Sequence, residues 1–176
     1  KELGYVTAPK LVSAVARPVQ GLDGYAVSVV AGETHSCAIM DDTTVKCWGS
    51  NTYGQLGDSS VVAVNSLTPV TVVGLTEVAS LALGQSHSCA VRFDGTVACW
   101  GSNQYGQTGT DDYPRTEATS ETGITDVSAI AAGSLHTCAR LGDGTVQCWG
   151  RNSSGQVGDG TMTSRPSPTP TAGLMG

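Results

Sequence analysis

The sequence predicts an all-β fold made of a repeated, hairpin-centred unit, and three observations carry that prediction. One stretch recurs three times, each copy holds two short alternating runs around a turn, and Gly 23 with Pro 7 in 176 residues supplies many turns. Thr, Val and Ser fill the runs between turns, and long helical patterns are absent. With a single Phe, the core has to be built from Val, Leu, Ala and Trp, so it is expected to be thin. The length is that of one domain able to bury a sizeable core if it closes on itself.

The copies run from Val27 to Gly57, from Val78 to Gly109 and from Val127 to Gly158. His35 and His87 are 52 positions apart and His87 and His136 are 49 apart, so the length difference sits in the connectors. Each copy opens on an apolar alternation ending in Gly, namely Ser28–Gly32, Ala79–Gly84 and Ser128–Gly133, which predicts an inner strand. A hairpin follows. In the second copy its strands are Ser88–Phe93 and Thr96–Trp100, with Asp94-Gly95 as the turn signal. If Cys89 faces Cys99, the loop is Phe93 to Gly95, and Gly95 takes the left-handed third position at no steric cost. Gly144 stands at that place in the third copy, whereas the first has Thr43, which predicts a strained or different turn. Upstream of each copy, Pro18–Leu22, Pro69–Leu75 and Thr119–Ile124 offer an outer strand or a turn. Three to four strands per unit, radially arranged, result.

The chain then divides into an N-terminal extension, residues 1–17, and three units at about 18–67, 68–116 and 117–160. A Ser/Thr/Pro-rich tail, 161–176, follows, and its Ser164–Gly173 looks like the start of a further connector. Within the extension, Pro9–Val15 has strand-like residues that suit either a neighbour's edge or a cap on the chain's own first unit.

Six cysteines form three candidate pairs, Cys37 with Cys47, Cys89 with Cys99 and Cys138 with Cys148, each with nine residues between. Six cysteines allow 15 connectivities, roughly speaking an open choice, but the hairpin register sets each of these pairs on facing strands. Persisting disulfides imply an oxidising compartment. A zinc site is the alternative, because every copy offers His-x-Cys and then Cys, and residues two apart share a strand face. No fourth ligand recurs, so no metal and no cofactor is expected, and His35, His87 and His136 read as packed or hydrogen-bonded positions, like Trp48, Trp100 and Trp149.

A formal charge of −6 with nine Lys and Arg leaves no basic stripe to neutralise phosphates, which argues against a nucleic-acid partner. No apolar run is long enough for a membrane span, and the first residues lack the charged-then-apolar pattern of a secretory leader. Asp58, Asp111, Asp112 and Asp159 follow the Gly-rich segments without forming a dense calcium loop, and solvated acidic loops are expected. Asn152-Ser153-Ser154 is a glycosylation sequon inside the repeat, where its equivalents Asn51 and Asn103 have none.

The recurring Gly-x-x-His-Ser/Thr-Cys-Ala, Cys-Trp-Gly-Ser/Arg-Asn and Tyr/Ser-Gly-Gln-x-Gly resemble the repeat of the regulator of chromosome condensation family, from about Pro18 to Gly158. The resemblance implies β-propeller-type blades of four strands, normally seven to a ring. Three blades do not close a ring, which implies a longer chain or association of copies into a homo-oligomer. The paired cysteines resemble the family's extracellular and bacterial variants, which implies a secreted or cell-surface location. The founding member's nucleotide-exchange activity does not carry over on fold alone.

No catalytic constellation is visible, since Ser, His and Asp recur in every copy while an active site needs them once. The expected function is a non-enzymatic binding or assembly module that recognises a protein partner or itself through its connectors. Tyr113 and Arg115 are the candidate anchors, followed by Tyr53 and Tyr105, which also belong to the repeat. A filament or surface-layer subunit and an inhibitor of a secreted enzyme are the alternatives.

Overall fold

In the computed structural model, residues 17–60, 64–110, 115–119 and 122–173 are described. They form twelve strands in three antiparallel sheets of four. The first blade contains β1 (Ala26–Ala31), β2 (His35–Met40), β3 (Val45–Gly49) and β4 (Ser66–Thr71), in that spatial order. The second contains β5 (Val78–Leu83), β6 (His87–Arg92), β7 (Val97–Gly101) and β8 (Arg115–Thr119). The third contains β9 (Val127–Ala132), β10 (His136–Leu141), β11 (Val146–Gly150) and β12 (Arg165–Pro170). No described residue lies in a helix, and hence no helix is long and apolar enough to cross a membrane.

The central hairpin of each blade sets the register. Cys37 faces Cys47, Cys89 faces Cys99 and Cys138 faces Cys148, and each pair is a disulfide with its Cα atoms 4.1 Å apart. In blade two the Thr96 carbonyl accepts from the Arg92 amide at 2.9 Å, which leaves Phe93, Asp94 and Gly95 as the loop. The Asp94 carboxylate accepts from the Thr96 amide and hydroxyl at 2.9 and 2.7 Å, closing the turn from within. Gly95 and Gly144 have φ of 78° and 88°. Thr43 occupies the same left-handed position at 67°, so the first turn is the same turn with a strained residue in it. Thr43→Gly is expected to stabilise the chain by about 0.5–1 kcal/mol, the relief of that strain less the extra freedom of the unfolded glycine. A rise in melting temperature checks it, and an unchanged or lower value contradicts it.

The structure corrects the placement of the outer strand. It lies downstream of the hairpin rather than upstream of the inner strand, because the chain leaving the hairpin's second arm turns back and pairs with the nearest free edge. The tail is therefore the fourth strand of blade three. Pro166, Pro168 and Pro170 are accepted there because an edge strand has amides that need no ladder partner. Pro18–Leu22 forms no strand. The possible edge strand Pro9–Val15 lies outside the described residues.

Two hydrophobic clusters fill the spaces between blades. The face of blade one that carries the cysteines, with Ile39 and Val45, packs on the face of blade two that carries Trp100, Ala90 and Leu81. Likewise the cysteine face of blade two, with Val91 and Val97, packs on Ala139 and Trp149 of blade three. Period-two alternation makes this possible, since a strand shows its Cys to one neighbour and its Trp to the other.

Candidate functional site

The repeated polar residues converge between blades. At the first contact, His35 Nε2 lies 2.8 Å from Ser88 Oγ, and the Ser88 hydroxyl donates to the Gln55 carbonyl at 2.9 Å. That carbonyl also accepts from the Trp100 indole N–H at 2.8 Å. The second contact repeats the arrangement. His87 Nε2 lies 3.0 Å from Thr137 Oγ1, and the Gln107 carbonyl accepts from Thr137 at 2.9 Å and from Trp149 at 3.0 Å.

Since each hydroxyl spends its proton on a carbonyl, it must accept from the histidine, which assigns the neutral tautomer with the proton on Nε2. The bare Nδ1 of His35 and of His87 has no partner. His87 is fully buried and His35 nearly so. Burial pushes the His35 imidazole down to about 4. Burial, and then the neighbouring His35 and His136, push His87 down to about 3. His136, half-buried, is lowered by burial as well.

Each glycine of the Gly-x-x-His motif makes room for its histidine. A Cβ at Gly84 would run into the His87 ring and stand 2.7 Å from the Gly133 carbonyl oxygen. The carbonyls that receive the bonds are held by the Asn-x-x-Gly-Gln segment. Asn51 Oδ1 accepts from the Leu56 amide at 3.1 Å, and Gln55 Oε1 accepts from the Tyr53 amide at 2.9 Å. Asn103 with Gln107 and Asn152 with Gln156 repeat both bonds.

A serine hydroxyl beside a histidine superficially suggests a nucleophile. Here the hydroxyl is buried, its proton is committed to a carbonyl, and the histidine is a donor with nothing orienting its other nitrogen. The arrangement holds blades together. The sulfurs are likewise consumed in disulfides, so the thiolates that zinc requires are not available.

Trp48, Trp100 and Trp149 share one repeat position but not one environment. Trp100 and Trp149 are fully buried, whereas Trp48 has no preceding blade among the described residues and is partly exposed. Trp100→Ala is expected to cost about 3–5 kcal/mol and Trp48→Ala about 1 kcal/mol. Denaturant midpoints of the two variants check it, and equal losses would contradict the contact described here.

Among the acidic positions, Asp58 accepts from Asn51 Nδ2 and from Ser60. The Thr161 hydroxyl beside Asp159, with the Arg165 guanidinium at 2.6 Å, holds its carboxyl down to about 2. Asp111 and Asp112 lie outside the described residues. Asn152 is fully buried with its amide nitrogen donating to Asp159 and to the Thr161 and Thr163 carbonyls, so the folded chain offers no amide for a glycan.

The candidate anchors do not converge on one site. Tyr113 lies outside the described residues, and Arg115 begins β8, where its backbone pairs with Gly101. Tyr53 is 40% exposed on the loop of blade one. Tyr105 sits under the Arg151 guanidinium at 5.5 Å, a bridge between blades two and three. Sequence reasoning missed Ser88, Thr137, Gln55 and Gln107 as partners of the histidines and tryptophans. Their signal was present: a hydroxyl residue precedes the first cysteine of every pair, on the opposite strand face, and a Gln recurs at a constant distance.

The repeat that builds this geometry matches a known family. The regulator of chromosome condensation (RCC1) repeat matches residues 26–55, 78–107 and 127–156, and a second pattern of that repeat matches 44–91. The chain belongs to the regulator of chromosome condensation repeat family. Its relatives include protein pim1 of Schizosaccharomyces pombe, 33% identical over 125 residues that cover 64% of this chain and 22% of pim1. Another is the probable E3 ubiquitin-protein ligase HERC4 of Rattus norvegicus, 34% identical over 88 residues, or 49% of this chain and 8% of that protein. The chain thus spans about a fifth or less of the length of these two relatives. Human WBSCR16 superposes with a TM-score of 0.76 at 24% identity, covering 90% of this chain and 40% of the other. Prp20p of Saccharomyces cerevisiae gives 0.75 at 23%, covering 82% and 38%. The fold is therefore a β-propeller of RCC1-like blades.

Proposed function

We infer that this chain is a non-enzymatic protein-binding module that works outside the cell, with three disulfide-stapled blades as scaffold and the connectors as recognising surface. One observation carries the reading: the repeated His, Ser/Thr, Gln and Trp side chains are spent on bonds within and between blades, which leaves the non-repeated segments to discriminate between partners. The pairing of all six cysteines supports an oxidising location. Fold neighbours point to protein partners too, since Prp20p is described by its binding to Gsp1p and histones.

A photo-crosslinking residue placed at the connector positions Val64 or Tyr113 of the oxidised chain, in the extracellular fluid of the producing organism, tests the reading. Crosslinks to one protein species from the connector positions, and none from a residue at Lys46, are expected. Crosslinks that ignore position, or a chain isolated from its producer with free thiols, would overturn it.

A further inference from the structure

Four Asp-Gly steps occur in the chain, at Asp23-Gly24, Asp94-Gly95, Asp143-Gly144 and Asp159-Gly160. Such steps are prone to rearrange, because glycine has no side chain to keep its nitrogen away from the preceding carboxyl carbon. Three of the four are bonded into their loops. The Asp94 and Asp143 carboxylates each accept from the amide and the hydroxyl of the threonine two residues on, at 2.9 and 2.7 Å in both turns. The Gly95 and Gly144 amides donate to the carbonyls of Arg92 and Leu141 at 3.0 and 3.1 Å. Asp159 is held from both sides: Oδ1 accepts from the Thr161 amide and hydroxyl and from Asn152 Nδ2, and Oδ2 accepts from Arg165 Nε at 2.6 Å.

Asp23-Gly24 is built differently. Both residues are exposed, and neither the Asp23 carboxylate nor the Gly24 amide has a hydrogen-bond partner among the described residues. Gly24 has φ of 95°, and a Cβ built on it would meet nothing closer than 3.6 Å, so the approach to its nitrogen is open. The Asp23 main-chain carbonyl accepts from Lys46 Nζ at 3.4 Å, a contact that leaves the carboxylate free to turn.

We propose that Asp23 is a site of spontaneous isomerisation to isoaspartate, the one Asp-Gly step of the four that the folded chain leaves open to it. The Gly24 nitrogen bonds to Asp23 Cγ, the amide proton and the carboxyl hydroxyl leave as water, and a five-membered succinimide closes. Water then opens the ring. Addition at Cγ restores aspartate. Addition at the main-chain carbonyl carbon leaves the chain running through Cβ to Gly24, with a carboxylate in place of the carbonyl that meets Lys46. The backbone thereby gains a methylene just ahead of β1, and water is the only reagent. At the other steps the same closure must first break the hydrogen bonds to the carboxylate, which slows it by about tenfold or more. Hydrogen bonds from Thr96 and Thr145 also hold Asp94 and Asp143 below the usual carboxylate range, and those of Thr161 with Arg165 hold Asp159 at about 2, so little of the neutral acid that loses water is present there.

Ageing of the full oxidised chain for weeks in neutral buffer, beside the same chain reduced and unfolded in denaturant, tests this. Isoaspartate is located by electron-transfer fragmentation of the peptides, since the mass does not change. In the folded chain its level at Asp23 is expected to exceed that at each of Asp94, Asp143 and Asp159 by about tenfold or more, and in the unfolded chain the four levels are expected to be comparable. Thr96→Ala, which removes the hydroxyl bond to Asp94 and keeps the amide bond, is expected to raise isoaspartate at Asp94 of the folded chain by up to about tenfold. An Asp23 that stays intact in the folded chain while the unfolded chain isomerises overturns the proposal. Equal levels at the four steps of the folded chain do so as well, as does the same preference for Asp23 in the unfolded chain, which would assign the effect to local sequence rather than to the fold. An unchanged Asp94 in a folded Thr96→Ala chain would remove hydrogen bonding as the cause. None of these failures touches the connector crosslinks that test the wider reading.

Discussion

Reduction of the three disulfides is expected to take the chain from a folded to a largely unfolded population at ordinary temperature. Each bridge closes a short hairpin loop with a sequence separation of 10, which constrains the unfolded chain by about 2–3 kcal/mol. Three together amount to about 6–9 kcal/mol, against the roughly 5–15 kcal/mol by which a domain of this kind is stable. The core is thin enough for that comparison to matter, because it is made of two interblade clusters without a shared centre. The reduced state should be prepared by unfolding with reductant and then removing denaturant, since five of the six cysteines are buried against attack. Loss of near-ultraviolet circular dichroism and of a cooperative melt is the expected result. Retention of the native melt by the reduced chain would show that packing alone suffices. The pair Cys89 and Cys99 should matter most when removed singly, because its blade is covered on both faces.

Mild acid is expected to destabilise the fold before any carboxylate contributes. His35 and His87 are held neutral, at about 4 and about 3, while the unfolded chain's histidines titrate near their ordinary value. Below that value the unfolded state binds protons that the folded state refuses, so stability is full above about pH 6.5 and declines as the pH falls toward the folded values. By pH 4 each of the two buried histidines removes about 3 kcal/mol on this linkage. Asp42, Asp94 and Asp143 are held below the usual carboxylate range, first by hydrogen bonds from Thr44, Thr96 and Thr145. Their contribution is lost only below about pH 4, so the two windows separate. Urea midpoints between pH 7.5 and 4.5 should fall for the parent chain and fall less for His87→Asn. A flat profile across that range would mean that His87 and His35 take up protons in the folded state, through an acceptor near Nδ1.

Both effects bear on function through the same residues. A binding surface made of connectors is only as well placed as the blades that carry it, and the blades are positioned by the His, Ser/Thr, Gln and Trp bonds and by the disulfides. The exchange of an inner alternation, a hairpin and a Gly-rich loop at regular intervals lets one solution to that problem be used at each interface.

The repeat, the all-β class, the hairpin register and the three-residue turn were determined by the sequence alone, because they are local: a period of two, an Asp-Gly signal and cysteines at a fixed spacing leave one alignment of the two strands. The strained Thr43 was legible for the same reason, as the odd residue at a position that elsewhere holds glycine. What only the tertiary structure decided is everything that depends on which neighbour a strand face meets. The segment around Pro69 could pair with the hairpin before it or the strand after it, and only the sheet shows that it completes the earlier blade. His35 and Ser88 are 53 positions apart, and nothing in either local stretch says that one ring nitrogen ends 2.8 Å from the other's hydroxyl. Trp48 and Trp100 are the same residue in the same motif, yet one is partly open and the other closed, because burial is set by the preceding blade and not by the residue itself.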